Sequence, residues 1–403
     1  MKLSEELKWR GFVNQTTLKS LEALDGSPLT FYWGVDPSSD SMQIGNLAAA
    51  MMVRAFIKNG HKPILLVGGA TGLIGDPDGK KQERDLKEID VIAKNVESLT
   101  RQYKTIFSDF DFETVNNHDW FKDINYVDFL RTVGKHYSMT QLLDREFVQS
   151  RIGEGGTGIS YAEFSYSLIQ GYDFLHLYRE KGVTLQVCGA DQWGNSLAGV
   201  ELIRKVESAE AHVYSVPLII NKATGIKFGK SEDGAIWLDA KKTSVYKFYQ
   251  FLLNLDDKGV GDYLKIFTSI MPDEYDALMD KFNSAPQERA AQKYLAFEVT
   301  KLVHGEARAE SVKSISEVLF GEKQFTDLSK EDLDELSKEI PTVKLQSLKS
   351  ALIESATVSS ASEFCRLLTE GAISVNGVKA SEDVGISEPS LIKKGKNTFL
   401  LVK

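Results

Sequence analysis

Two short segments carry the residue types that phosphate chemistry needs. Pro37-Ser38-Ser39-Asp40-Ser41-Met42-Gln43-Ile44-Gly45-Asn46 leads out of a turn into small and apolar residues that continue to Phe56. Far downstream, Lys227-Phe228-Gly229-Lys230-Ser231 sets two lysines around a glycine. A helix start presents unpaired N–H groups and a positive dipole end to phosphate oxygens. A lysine loop pivoting on glycine adds mobile positive charge. Together they imply adenylation of a substrate by a nucleotide. Taken alone, Lys227 and Lys230 read as a solvated charge pair; their glycine and serine neighbours are what point to phosphate.

Three further groups suggest binding. Tyr166, Gln170 and Asp173 are spaced i, i+4, i+7, so a helix places them on one face. That stripe is either solvent-facing or, given its apolar flanks, buried and in need of polar partners such as a bound ligand. Val67-Gly68-Gly69-Ala70-Thr71-Gly72-Leu73-Ile74-Gly75-Asp76-Pro77 follows a strand. Its glycines fit a tight turn, or a close approach of backbone to ligand at the carboxyl edge of a parallel sheet. It carries neither the dinucleotide fingerprint nor the phosphate-loop motif. Lys80, Lys81 and Arg84 come next, as a solvated loop or as phosphate contacts. Gly189-Ala190-Asp191-Gln192-Trp193-Gly194-Asn195 ends another strand, where Asp191 either caps a helix or accepts from two ribose hydroxyls.

The elements that must hold these groups alternate. Leu29–Trp33 and Pro63–Val67 read as buried strands, with a helix from Ile44 between them, which is the parallel α/β pattern. Residues 82–110 read as a charged amphipathic helix and Phe112–Trp120 as a strand and turn. The segment near 125–160 reads as an insertion, followed by a helix from Tyr161 and a strand Thr184–Cys188. Helical periodicity dominates 245–320, with Leu295, Val299 and Leu302 on one stripe and Val312, Ile315 and Leu319 on another. Charge-rich 321–340 reads as a linker. A short helix near Glu363–Thr369 stops at Gly371, and Asn376-Gly377 after Ile373-Ser374-Val375 signals a two-residue hairpin.

At 403 residues the chain has room for two or three domains, and its 42% hydrophobic and 26% charged residues are ordinary for a globular protein. No apolar run reaches the roughly 20 residues of a membrane span, and the charged start Met1-Lys2-Leu3-Ser4-Glu5 is no signal peptide. Cys188 and Cys365 are the only cysteines, which argues against a disulfide framework or a structural zinc site and fits the cytosol. A net charge of −9 argues against a nucleic-acid binder. Residues 341–403 hold eight Lys or Arg against six Asp or Glu, a net of +2, which leaves −11 for the rest. Local contact with RNA therefore stays open.

These separate segments, in this order, closely resemble the bacterial-type tyrosyl-tRNA synthetases of class I over almost the whole length. The resemblance rests on Tyr32, Gly34 and Asp36-Pro37, on Gly68–Pro77, on Asn116-Asn117-His118-Asp119-Trp120 and on Gly134-Lys135-His136. It continues through Phe164–Phe174, Asp191–Asn195 and Lys227–Ser231. It implies an α/β fold: a Rossmann-type parallel-sheet catalytic domain over 1–220 with the insertion near 125–160, then a lysine-loop linker over 221–245. An α-helical domain over 246–320, the linker 321–340 and a small α+β RNA-binding domain of the S-four type over 341–403 complete it. The resemblance further implies a homodimer built through the insertion, with tyrosine, ATP and tRNA as substrates. Mg²⁺ would enter with ATP, and no dedicated metal site is expected.

By the same resemblance, Tyr32 and Asp173 take the substrate phenol hydroxyl. Asp76, Tyr166 and Gln170 hold its ammonium group, with Gln192 near the carboxylate. Gly34, Asp36, Ser38, Gly45, Gly189 and Asp191 line the adenylate. Lys80, Arg84, Lys227 and Lys230 close over the pyrophosphate, with Lys230 and Ser231 also meeting the adenylate. Arg204 and Lys205 resemble a basic pair for the tRNA acceptor stem, although Glu201 and Lys205 also make an ordinary i,i+4 pair. Arg366 and Lys379 stand for the C-terminal RNA contact.

The chain departs from the family in two places. The run from Pro37 has the frame of the family's H-I-G-H element, but Gln43 and Asn46 occupy its two histidine positions. Ser360, Ser362 and Glu363 stand where a more basic helix is expected, leaving Arg366, Lys379, Lys393, Lys394 and Lys396. Three functions compete: an active tyrosine–tRNA ligase, a non-catalytic RNA-binding relative, and a ligase for another aromatic amino acid such as tryptophan.

Overall fold

A computed structural model of the protein describes residues 1–77, 85–153, 155–231 and 234–403, and for Gln141, Glu146, Phe147, Lys230 and Ser231 the backbone alone. The chain divides into two units: Met1–Thr243 with Leu255–Leu295, and Ser244–Asn254 with Ala296–Lys403. The helical stretch expected as one domain thus divides, its 255–295 part belonging to the first unit.

The first unit is built on a six-stranded sheet of β1 (Gln15–Thr16), β2 (Thr30–Val35), β3 (Lys62–Val67), β4 (Glu113–Asn116), β5 (Leu185–Gly189) and β6 (His212–Val216), in the order β1-β6-β5-β2-β3-β4. All neighbours pair in parallel except β1, which runs antiparallel to β6. From β2 the chain first winds outward through β3 and β4, then restarts beside β2 with β5 and β6. The switch point therefore lies between β2 and β5, whose carboxyl ends carry Gly34 and Gly189. Such a point opens a crevice above the sheet. The strands are apolar on both faces, as in Pro63–Val67, because helices cover each side. Helix Ile44–Lys58 buries Leu47, Met51, Met52 and Phe56, and helix Tyr161–Lys181 buries Leu168, Phe174 and Leu177.

Several elements went unread in the sequence, two of them beside the crevice. Gly69–Ile74, expected as a turn, is a short helix, and His212–Val216 is the sheet's sixth strand. The insertion is a set of short helices, Tyr126–Thr132, Met139–Leu143 and Glu146–Ile152. Arg151 ties the last of them to helix Tyr161–Lys181, with its guanidinium buried against Glu163 at 2.9 Å and bonded to the carbonyl of Gly158 at 2.8 Å.

The second unit carries strands Ile373–Val375, Val378–Lys379, Ser390–Lys394 and Thr398–Val402 in antiparallel pairing, with Thr342–Val343 added in parallel at one edge. Asn376 and Gly377 take φ of 48° and 82° between paired Val375 and Val378, which is the left-handed turn an Asn-Gly hairpin requires. Helices Leu348–Glu354 and Ala361–Thr369 supply Leu348, Leu352, Phe364 and Leu367 to its core. Residues 321–340 are more than a linker. Ser329 caps helix Lys330–Glu339, which buries Leu336 against Ile315, Phe325 and Leu401. The high charge misled because much of it is exposed, while Asp332 turns inward to Ser311 and the cap.

Candidate active site

The crevice at the switch point is a cavity of about 640 Å³. Gly34, Asp36 and Ser38 reach it from the end of β2; Gln43, Gly45 and Asn46 from the start of helix Ile44–Lys58. Asp76 enters after helix Gly69–Ile74, and Tyr166, Gln170 and Asp173 from one face of helix Tyr161–Lys181. Gly189, Asp191 and Gln192 follow β5, while Lys227 and Phe228 come from the lysine loop. The i, i+4, i+7 stripe therefore faces the cavity rather than solvent.

At one end lies a desolvated polar cluster. Tyr32 is 1% exposed, and its hydroxyl has no hydrogen-bond partner among the described residues. Burial raises its pKa well above the usual tyrosine value, and the charge of Asp173 adds to this. Asp173 is held by Asn117 Nδ2 on Oδ2 at 3.0 Å and by Trp120 Nε1 on Oδ1 at 2.9 Å. Burial nevertheless pushes its carboxyl up to about 8, against the downward pull of those two donors. Neither donor was singled out as a site residue in the sequence. They lie beyond β4 in the Asn-Asn-His-Asp-Trp run, where no periodicity marks them. Gln186 was missed as well: it lines the cavity from β5, is buried, and its Oε1 has no partner among the described residues.

Asp36 is the hub of the middle section. Its Oδ2 accepts from the Tyr166 hydroxyl at 2.7 Å and its Oδ1 from Thr71 Oγ1 at 2.6 Å. Thr71 Oγ1 in turn accepts from Asn117 Nδ2 at 3.1 Å, linking this hub to Asp173. The glycines of the 67–77 segment serve this network. A Cβ on Gly68 would lie 2.2 Å from Thr71 Oγ1 and 2.3 Å from Asp36 Oδ1. The close approach expected for a ligand is thus occupied by the protein's own carboxylate. Asp76 accepts from Gln192 Nε2 at 2.5 Å and from Asn195 Nδ2 at 3.4 Å. The expected partners for one ammonium group, Asp76 and Tyr166, are therefore tied to different neighbours in the same cavity.

The other end is shaped for phosphate. Helix Ile44–Lys58 starts at Gln43 with no acidic residue in its first turn, so its dipole end stays positive. Asn46 Oδ1 accepts from the Gln43 N–H at 3.0 Å, so this residue stabilises the helix start besides lining the cavity. Gly229, at φ of 88°, packs its backbone against this turn, where a Cβ would lie 2.5 Å from Ile44 Cγ2. The Lys227 ammonium stands 3.7 Å from Asp191. No side-chain bond from Asp191 caps helix Trp193–Glu207, whose N-cap is Gln192, so the capping alternative for Asp191 falls away. Lys80 and Arg84 lie outside the described residues, and Lys230 and Ser231 are placed by backbone only, in a short strand after Gly229.

Arg204 and Lys205 lie away from the cavity on helix Trp193–Glu207. Both face Glu201, and Lys205 also donates to the carbonyl of His136 at 2.6 Å. In the second unit Arg366 is exposed beside Glu370, and Lys379 sits in the hairpin. Lys394 bonds the carbonyl of Thr357 at 2.6 Å and pairs with Glu363 at 3.4 Å, which lowers the positive charge of that surface. Among the described residues, no three His, Cys, Asp or Glu side chains gather as a metal cage, and no helix is long and apolar enough to cross a membrane.

Known proteins match this arrangement. The family described as tRNA synthetases class I (W and Y) matches residues 24–321. A tyrosine–tRNA ligase of Bacillus caldotenax is 44% identical, covering all of both chains. One from Limosilactobacillus reuteri is 40% identical, again over all of both. Among solved structures, a C-terminally truncated mitochondrial tyrosyl-tRNA synthetase of Aspergillus nidulans superposes with a TM-score of 0.72 at 28% identity, covering 79% of this chain and 94% of that one. The parallel sheet, its switch-point cavity and these full-length matches agree: the chain belongs to the class I tRNA synthetases, in the bacterial-type tyrosyl branch.

Proposed function

We infer that this chain is a tyrosine–tRNA ligase, activating L-tyrosine with ATP and passing the tyrosyl group to the 3′ end of its tRNA. The tyrosine carboxylate attacks the α-phosphorus, pyrophosphate leaves, and a ribose hydroxyl of the tRNA then displaces AMP from the acyl carbon. No protein nucleophile is required, so positioning and charge stabilisation supply the rate. Mg²⁺ enters with ATP as part of that substrate.

The observation that carries the choice of amino acid is the buried, unpartnered Tyr32 hydroxyl in the same pocket as Asp173. A phenol hydroxyl entering there accepts from one and donates to the other. Phenylalanine would leave the Tyr32 hydroxyl unpaired and Asp173 with its two protein donors alone, and a buried unpaired group is costly. The pair also disfavours a tryptophan ligase. In the rest of our assignment Asp76, Tyr166, Gln170 and Gln192 hold the ammonium and carboxylate groups. Gly34, Asp36, Ser38, Gly45, Gly189 and Asp191 line the adenylate. Gln43, Asn46, Lys80, Arg84, Lys227 and Lys230 attend the reacting phosphates, with Lys230 and Ser231 also at the adenylate. Arg204, Lys205, Arg366 and Lys379 meet tRNA, the last two on an S-four-type domain whose helix–hairpin core supports the reading. The enzyme works in the cytoplasm, where tRNA is charged.

Exposed Tyr126, Val127, Met139 and Tyr161 cluster in sequence around the insertion. Single exposed apolar side chains are ordinary, but a concentrated set marks an interface. We assign it to a second copy of the chain. Competition binding tests the substrate choice: tyrosine should displace a labelled analogue while phenylalanine and tryptophan fail. Replacing Tyr32 with Phe should weaken tyrosine binding about 2- to 12-fold with little change for phenylalanine. Equal losses for both amino acids would refute the phenol contact.

A further inference from the structure

The lysine loop is seated on a helix that contributes nothing to the cavity wall. Helix Val260–Phe267 buries Tyr263, whose hydroxyl accepts from the Lys222 N–H at 2.9 Å and donates to the Ile220 carbonyl at 3.4 Å. The strap it grips is the one that pairs with the loop. Ile220 bridges Lys227, and Phe228 N–H donates to the Ile219 carbonyl at 2.8 Å. The Phe228 ring lies 4.8 Å from that of Tyr263 and 4.9 Å from that of Phe267, stacked on the latter at 24°. Outside this aromatic seat, Lys222 pairs with Asp262 of the same helix. On its other side the loop meets the first turn of helix Ile44–Lys58 through Gly229.

We propose that Tyr263 is a positioning residue for the adenylation step, fixing the register of strap 219–222 against Lys227 and hence where the Lys227 ammonium stands beside Asp191. It touches no reacting atom. A buried hydroxyl with one donor and one acceptor partner, both backbone, holds one alignment, whereas a phenyl ring would keep the packing and lose the alignment. The proposal rests on the reading that Lys227 serves the pyrophosphate.

The test uses the full-length protein with Tyr263→Phe, Lys227→Ala and the double variant. Three quantities are measured: ATP–pyrophosphate exchange, tyrosine dissociation at equilibrium, and single-turnover transfer from preformed adenylate to tRNA. Tyr263→Phe should slow exchange about 3- to 10-fold while leaving tyrosine binding and transfer unchanged. On the Lys227→Ala background the same substitution should cost nothing further, because the two residues act through one element. Unaltered exchange, additive losses, or an equal loss in transfer would overturn the proposal. If Lys227→Ala itself leaves exchange intact, the lysine-loop reading fails and this inference falls with it. Should Tyr263→Phe not fold, Asp262→Asn loosens the same strap and is expected to repeat the pattern at smaller amplitude, with the same results overturning it.

Discussion

A carboxyl with the surroundings of Asp173 has a definite effect on stability. Its pKa stands at about 8 in the folded protein against an ordinary 3.8, because burial disfavours its charge more than two donors favour it. The folded state therefore binds this proton more tightly than the unfolded chain does. Between those two values stability falls as pH rises, and above the upper one the full penalty is present. The stability of the natural protein minus that of Asp173→Asn should accordingly decline from about pH 4 to about pH 8 in denaturant titrations. A difference that grows over this window would contradict the burial argument. Gln43 poses the opposite question, a charge absent where phosphate is expected. A neutral donor in place of a charged one forfeits roughly 1–3 kcal/mol, so Gln43→His should speed activation about 5- to 150-fold. Unchanged or slower pre-steady-state activation would remove Gln43 from the phosphate end. At this scale the sequence was legible where spacing spoke: Tyr166, Gln170 and Asp173 share a helical face and share the cavity. It was silent on Asn117, Trp120 and Gln186, whose roles depend on which side chain each meets across the fold.

Elements bring those meetings about, and small residues set the tolerances. Gly68, just past β3, lies against the Asp36–Thr71 bond, where a Cβ would stand 2.2 Å from Thr71 Oγ1. Gly68→Ala should destabilise the protein by about 1–3 kcal/mol, and should weaken both tyrosine and ATP binding because Asp36 has to move. Full binding with lowered stability alone would show that Asp36 is no hub. The strand–helix–strand order was readable because parallel strands are continuously apolar and amphipathic helices are periodic. Helix Gly69–Ile74 was not, since Gly69-Ala70-Thr71-Gly72 has poor helix propensity and is held by Asn116 and Asn117 from β4's end, bonding the N–H groups of Gly69 and Ala70 at 3.1 and 2.7 Å. Lys330–Glu339 was hidden by its own charge, although Ser329 and Asp332 form a capping box that signals a helix start.

For the molecule as a whole, the division of labour follows the division of the chain. Every described residue of the adenylation cavity lies in the first unit, while residues 341–403 lie in the second, where Leu352, Phe364 and Ile392 share a core. Deleting 341–403 should therefore impair aminoacylation of tRNA and spare adenylate formation; equal loss of both would deny that division. A charge of −9 pointed away from nucleic acid, and only the regional balance kept RNA in view, because net charge averages over surfaces with different tasks. This cavity should activate tyrosine in spite of glutamine and asparagine at the two histidine positions. Tyrosine-dependent ATP–pyrophosphate exchange by the purified protein, without tRNA, tests it most directly. Exchange is expected with tyrosine and none with phenylalanine or tryptophan. Folded protein that exchanges with no aromatic amino acid would contradict it and favour a non-catalytic RNA-binding relative.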